Sequence, residues 1–353
     1  MDHGSYDGAG LLLPGAGYTG LERQMITDER SLRLEARTIP TPTSISVEAR
    51  AALERLIGTD GVPLNASFEL PAHDDVAGWE KVKAAVDANY ARLLAAASDM
   101  PDATVATTLF EGALVHVATP ADVIASDAVY LELHGGALVF GGGDACRHGA
   151  RVQADQLGVT VWSIDYRLPP EHRYPAALDD CLAVYRAALE RHPARRIVVG
   201  GRSAGGNLAA AMLLRARDEG LSTPAALVLL SPEVDLTESG DSFAVNAGVD
   251  VVLPGSLMAS NLLYAGGADL AHPYLSPLFG DVTGFPPTLL LTGTRDLFLS
   301  NTVRLHRRLL AAQVSAELHV FEAMPHGGFG GTPEDRDAAR EVTRFVHDRL
   351  LSI

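Results

Sequence analysis

The chain is poor in cysteine: only Cys146 and Cys181 occur in 353 residues. A disulfide framework is thereby excluded, a reducing compartment is compatible, and both thiols read as small buried apolar residues. No run of about 18 apolar residues exists, so no transmembrane helix is expected. Leu11-Leu12-Leu13 runs straight into Pro14-Gly15 with no basic stretch before it. A secretory signal is therefore not expected either, and a cytoplasmic location is the default. Positive charge is short as well, 28 Lys and Arg against 44 Asp and Glu, for a net charge of −16. That balance argues against nucleic acid, whose phosphates require a basic footprint, and against polyanionic substrates. The 12 histidines include no H-E-x-x-H, and Cys146 with His148 is too little to build a zinc site, so no metal is expected. Internal repeats and low-complexity segments are absent.

What is present is enough apolar material, 47% of residues, for a sizeable core. The length suits one large α/β domain with an accessory part, or two domains. The first hundred residues differ from the rest. Helices are expected over 46–57 and 78–97, the second with Trp79, Val82, Val86, Tyr90 and Leu93 at three- and four-residue spacing, a stripe that should pack on the protein itself. From Thr104 onward strands and helices alternate. Strands are expected at 104–110, 113–118, 128–133, 159–164, 196–200, 225–230, 288–291 and 316–321. Several are continuously apolar, as parallel strands covered on both faces are. Helical stripes lie between them, Leu178, Leu182, Tyr185 and Leu189 in one, Leu305, Leu309 and Ala312 in another. A last helix opens at Thr332-Pro333-Glu334-Asp335, with a cap residue, a proline and two acids in its first turn. The alternation implies a doubly wound, mostly parallel sheet, interrupted by an insertion at 236–275.

Ser203 stands in Gly201-Arg202-Ser203-Ala204-Gly205, after the apolar run Ile197-Val198-Val199 and before a helical stretch. G-x-S-x-G between a strand and a helix pushes the serine hydroxyl out at the top of a sheet. Side chains at either glycine would clash in so tight a turn. A serine hydroxyl needs a base, and the base needs an orienting acid. In this arrangement the order along the chain is serine, acid, histidine, each after a strand. Asp296 follows strand 288–291, and His326 follows strand 316–321 in a glycine-bounded turn. Glu322 also follows that last strand and is the alternative acid. The oxyanion of acyl transfer needs N–H donors. Ala204 supplies one, and Gly135 and Gly136, after strand 128–133, are placed to supply others.

With these residues in place, the chain resembles the hormone-sensitive-lipase branch of the α/β-hydrolase esterases. The resemblance also rests on Tyr166-Arg167-Leu168-Pro169-Pro170-Glu171-His172, on Tyr174-Pro175-Ala176-Ala177-Leu178-Asp179-Asp180, on Gly205-Gly206-Asn207-Leu208-Ala209 and on Leu230-Ser231-Pro232-Glu233-Val234-Asp235-Leu236-Thr237. It runs from about residue 104 to the end and implies an α/β-hydrolase fold, an eight-stranded, mostly parallel sheet flanked by helices, with a helical cap. By that analogy 1–100 is an N-terminal cap segment leading into the core, 101–235 and 276–353 are the two parts of the core, and 236–275 is a cap insertion. The family implies hydrolysis of carboxylic esters or lactones, usually with short or medium acyl chains, and no metal or cofactor. Ser203 would be the nucleophile, His326 the base, Asp296 its orienter, and Gly135, Gly136 and Ala204 the oxyanion donors, with His134 bracing the loop.

Three residues depart from the family's pattern. Ala137 replaces a third glycine and is expected to narrow the pocket while keeping its N–H. Arg202 replaces an acid before the nucleophile; the expectation is a structural pairing with a carboxylate, the alternative an attraction for a polar or anionic substrate group. Pro325 replaces an aromatic residue before the histidine. Glu132 and Glu233 read as structural carboxylates, with Glu233 the one able to face the pocket. Two other function classes stay open. A non-catalytic small-molecule binder could use the same scaffold. Gly15-Ala16-Gly17-Tyr18-Thr19-Gly20 matches G-x-G-x-x-G, with Glu35 beyond it, and a dinucleotide-binding oxidoreductase would need a strand before it. There, the run 11–13 is short, Pro14 interrupts it, and Pro40-Thr41-Pro42 stands where a second strand should run. The strand 316–321 reads as a sheet edge open to pairing in a homodimer or higher homo-oligomer.

Overall fold

The computed structural model describes residues 32, 36–96, 102–253 and 255–351. Residues 1–40 group by themselves, and the described ones among them have no regular structure. The stretch 15–20, the run 11–13 and Glu35 lie outside the described residues.

Along the chain come α1 (Val47–Arg55), α2 (Val76–Ala96), β1 (Thr104–Phe110), β2 (Ala113–Thr119), β3 (Val129–Leu133), α3 (Asp144–Leu157), β4 (Thr160–Asp165), α4 (Ala176–Arg191), β5 (Ile197–Arg202), α5 (Ala204–Asp218), β6 (Ala226–Leu230), α6 (Ser242–Val245), α7 (Met258–Ala265), β7 (Thr288–Gly293), α8 (Leu299–Ala311), β8 (Ala316–Phe321) and α9 (Pro333–Leu351). All eight expected strands form. They make one sheet in the order β1-β2-β4-β3-β5-β6-β7-β8. β2 runs antiparallel to both of its neighbours, and every other pair is parallel.

The apolar runs explain the layering. Successive side chains of a strand point to opposite faces, so a strand that is apolar at every position must be covered twice. In β6, Leu227 and Leu229 pack on one face, with Leu178, Leu182 and Tyr185 of α4, Leu208 and Met212 of α5, and Leu305 and Leu309 of α8. Ala226 and Val228 pack on the other, with Leu53 of α1, Ala150 and Ala154 of α3, and Val342, Phe345 and Val346 of α9. Each such leucine or phenylalanine contributes about 1.5–3 kcal/mol by leaving water.

β5 runs two residues beyond its expected end at Gly200. Glycines read as turn residues in the sequence, but the neighbouring strands pair straight through them: Gly200 with Val228, Gly201 with Leu133 and Leu229, and Arg202 with Leu230. Gly200 serves packing instead, because the Tyr130 ring occupies the space a Cβ there would need.

Strand order reverses at β3: the chain crosses to β4 on one side of it and then returns to β5 on the other. Loops leaving the carboxyl ends of β3, β5, β7 and β8 therefore gather at one end of the sheet, the place where open α/β sheets bind ligands.

The α2 stripe divides. Trp79 is fully buried with Val139 and Leu263, Val82 and Val86 are half-buried, and Tyr90 is exposed; the side chain of Leu93 lies outside the described residues. The Trp79 indole N–H donates to the Ala72 carbonyl at 2.9 Å. α2 is thus pinned at its start, next to the loop after β3. Among the described residues, no helix is long and apolar enough to cross a membrane.

Candidate active site

Ser203 is the residue between β5 and α5, and its backbone sits at φ 56°, ψ −123°. Non-glycine residues avoid this conformation at a cost of about 1–3 kcal/mol, and the surroundings must impose it. Here they do. A Cβ on Gly201 would lie 2.2 Å from the Gly205 carbonyl oxygen, and one on Gly205 would lie 1.9 Å from that of Leu133. The Ser203 N–H donates to Leu230 O at 2.9 Å, which holds the turn to β6. The hydroxyl is left at the start of α5, facing the end of the sheet.

His326 meets it from the loop after β8. Ser203 Oγ lies 3.0 Å from His326 Nε2, and His326 Nδ1 lies 3.1 Å from Asp296 Oδ1. With Nδ1–H donating to the carboxylate, Nε2 is the acceptor for the serine hydroxyl. The edge-on ring of Phe298 flanks the imidazole at 4.9 Å. Asp296 is wholly buried and also accepts from Thr292 Oγ1 at 2.7 Å and from the Phe298 N–H at 2.9 Å. Burial pushes its carboxyl up, but His326 and the donors Ser231 and Phe298 outweigh it and hold the group below the ordinary range. The alternative acid, Glu322, is exposed.

Gly135 packs against this turn, its ideal Cβ position 3.4 Å from the Cβ of Ser203. Gly136 takes φ 128°, and a Cβ there would lie 2.2 Å from Phe140 O. Its carbonyl accepts the N–H groups of Val139 and Phe140 at 2.9 and 2.8 Å, which curls the loop. Ala137 and Leu138 pass through left-handed conformations, φ 51° and 61°. A third glycine would adopt the Ala137 conformation without the steric cost that the methyl carries. His134 is stacked on Tyr166 at 4.0 Å, its Nδ1 bonds Gly135 O at 2.8 Å, and the Tyr166 hydroxyl donates to its carbonyl at 2.7 Å. Burial pulls its pKa down, which favours the neutral ring.

Asp250 had no signal in the sequence. It lies between β6 and β7, is wholly buried, and binds the loops after β7 and β8 through their backbone. It accepts from Leu297 N–H at 2.8 Å, from His326 N–H at 3.2 and 3.3 Å, and from Val252 and Leu253 N–H at 2.9 and 3.1 Å. Burial, against the opposing pull of His326, pushes its carboxyl up.

One expectation needs correction. Arg202 has no carboxylate within ion-pair distance among the described residues; its guanidinium donates to Gly327 O, in the loop after β8, at 3.1 Å. Glu233 is a structural carboxylate, as expected, and does not line the pocket. It is wholly buried beneath Ser203, with its N–H donating to Ser203 O at 3.2 Å. Burial first, then the charges of Glu238 and Asp235, push its carboxyl up to about 8 from an ordinary 4.5. The folded chain therefore keeps a proton that the unfolded chain has lost between those values. Stability should fall as pH rises through that window and stay reduced above it. Glu233→Gln is expected to flatten this fall, measured as melting temperature at pH 6 and pH 9; equal slopes in variant and native protein would remove the assignment.

Among the described residues, Cys146 is brought close to His134 and Asp165. Its thiol lies 3.2 Å from Ser163 Oγ, and burial pushes its pKa well up, the opposite of what a thiolate ligand requires. Asp165 is occupied by the Gly143 N–H at 3.1 Å and by His116 at 3.3 Å.

Over Ser203 lies a cavity of about 910 Å³. Its floor is Ser203, His326 and the loop 134–137. Its walls come from Asn65, Phe68, Leu70 and Tyr90 on one side and Val252, Leu253, Ser256 and Leu257 on the other. By contrast, Ala49, Ala52 and Leu53 of α1 belong to the core.

A family model described as alpha/beta hydrolase fold matches residues 130–329. The acetyl-hydrolase of Streptomyces hygroscopicus is 35% identical over 198 residues, which are 56% of this chain and 66% of that protein. Among solved structures, the esterase E25 superposes with a TM-score of 0.82 at 35% identity, covering 90% of this chain and 98% of its own. A hormone-sensitive lipase from a metagenome library superposes at 0.74 with 32% identity, covering 86% and 98%. By sequence over more than half of its length and by fold over nine-tenths of it, this chain belongs to the α/β-hydrolase family, in the hormone-sensitive-lipase branch of carboxylesterases.

Proposed function

We propose that the protein hydrolyses carboxylic esters of short to medium acyl chain, lactones included, through a Ser203–His326–Asp296 triad and an acyl-enzyme. The observation that carries the reading is the continuous chain of contacts from Ser203 Oγ through His326 to the buried, ionised Asp296, 3.0 and 3.1 Å long, on the floor of a cavity large enough for a small ester. His326 Nε2 takes the hydroxyl proton as Ser203 Oγ bonds to the ester carbon. The oxyanion so formed is received by the N–H groups of Gly135, Gly136 and Ala204. As the first residue of α5, Ala204 has no acceptor within the helix, and the helix dipole adds to its donor strength. Collapse of the intermediate breaks the carbon–oxygen bond to the alcohol, which leaves with the proton from His326. Water then gives a proton to the same nitrogen and attacks the acyl-serine, and Ser203 recovers its proton as the acid departs. Asp296 keeps Nδ1 protonated and compensates the imidazolium.

The segments around 65–90 and 252–259 act as the cap, and the width they leave sets chain length. One of the similar structures was soaked with p-nitrophenyl butyrate, which makes that ester a natural member of a test series. Across p-nitrophenyl esters from acetate to palmitate, kcat/KM is expected to peak at or below eight carbons and fall at least tenfold by palmitate. A folded protein inactive on every member would overturn the proposal.

A further inference from the structure

The most unusual charge in the cavity is Arg202. It ends β5, directly before the nucleophile, and it is exposed and lines the cavity. The protein has 16 more acids than bases, yet no carboxylate among the described residues pairs with Arg202. Elsewhere Arg167 pairs with Asp180, Arg215 with Asp179 and Arg304 with Asp235. Arg202 spends one N–H on the Gly327 carbonyl, and its ion-pair fork is otherwise open towards the cavity. Among the described residues lining the cavity it is the one arginine or lysine, and Glu69, exposed on the N-terminal wall, is the one acid. The buried acid that feels the charge of Arg202 is Glu132, which burial pushes up to about 7, so even this neighbour carries only part of a negative charge near neutral pH. A planar guanidinium with free parallel donors is built for bidentate capture of a carboxylate.

The position of the guanidinium says which half of the ester carries that group. Its hydrogen bond holds it against Gly327, the residue after His326. His326 must stand beside the departing alcohol to protonate it, whereas the acyl oxygen points at residues 135, 136 and 204. Resting on the ester-hydrolase reading above, we infer that Arg202 selects esters whose alcohol portion bears a carboxylate, by pairing with it at the alcohol end of the cavity.

The test compares two acetates with matched leaving groups, 4-acetoxybenzoate, which is anionic, and 4-acetoxybenzamide, which is neutral. The native protein is expected to prefer the anion by about tenfold in kcat/KM, and the preference should shrink as sodium chloride rises from 0.05 to 0.5 M. In Arg202→Gln the ratio should fall about tenfold, mostly through KM, and Arg202→Lys should restore part of it. A ratio unchanged in Arg202→Gln, or an equal loss on both acetates, would overturn the inference, the second outcome marking Arg202 as a brace for the Gly327 loop only. If the native protein hydrolyses the neutral acetate but shows no anion preference, the selectivity falls and the ester-hydrolase reading stands. If it hydrolyses neither acetate nor any p-nitrophenyl ester, both fall together.

Discussion

Ser203→Ala is expected to lower kcat on p-nitrophenyl butyrate by about 10⁴-fold or more while leaving the fold intact. Among the described residues the hydroxyl has one protein partner, His326 Nε2, so its loss strands no buried donor of consequence. Alanine keeps the same Cβ in the same φ 56° backbone, so the local strain is retained. Ser203→Gly removes that Cβ and should melt at a higher temperature than Ser203→Ala, by the equivalent of about 1 kcal/mol, since strain at such a site is worth about 1–3 kcal/mol. A small organophosphate should label the native protein at Ser203 and neither variant. Turnover by Ser203→Ala within tenfold of the native rate would remove the serine from the chemistry. A variant that no longer folds would mean that the turn depends on more than its glycines.

Asp250→Asn should have the next largest effect, for a different reason. Both carboxylate oxygens of Asp250 receive N–H groups, Oδ1 from Val252 and Leu253, Oδ2 from Leu297, and the pair from His326. An asparagine of the same shape must turn its NH2 towards one of these donor sets. At least one buried N–H then loses its acceptor, at about 1–3 kcal/mol each. Leu297 follows Asp296 directly, and the His326 amide belongs to the proposed base, so the loosened bonds lie at both ends of the Asp296–His326 contact. We expect a fall in kcat of about 10²-fold and a lower melting temperature, with KM changed less than kcat. Because the same carboxylate ties Val252 and Leu253, which wall the cavity, Asp250→Asn should also blur the acyl-chain preference. A variant with native kcat and native melting temperature would show that these five contacts position nothing.

How much could be read from residues alone varied with the range of the forces involved. The eight strands were legible because continuous apolar runs bounded by turns have few other uses, and only their ends moved, as at Gly200 and Gly201, where the pairing of β3 and β6 overrides local preference. The turn at Ser203 was legible because its glycines are needed for contacts within a few residues, Gly201 against Gly205. Asp296 and His326 were legible by their order after strands, although their approach to Ser203 is made by the sheet. Asp250 was not legible. It carries no motif, sits outside the alternation, and works on backbone groups 47 and 76 residues away. The direction of Glu233 was ambiguous, because a carboxylate after a strand can turn to the crevice or beneath it. The grouping of Cys146 with His134 and Asp165 depends on α3, β3 and β4 packing side by side.

By itself, then, the sequence determined the α/β layering and the local turns that carry serine, acid and histidine, since alternation, apolar runs and glycine sterics act over a few residues at a time. The tertiary structure alone decided which charges meet. It placed Arg202 beside a carbonyl instead of a carboxylate, drove Glu233 beneath Ser203 and brought Asp250 to two distant loops. Those outcomes follow from burial and from hydrogen bonds between segments remote in sequence, which no local pattern of residues encodes.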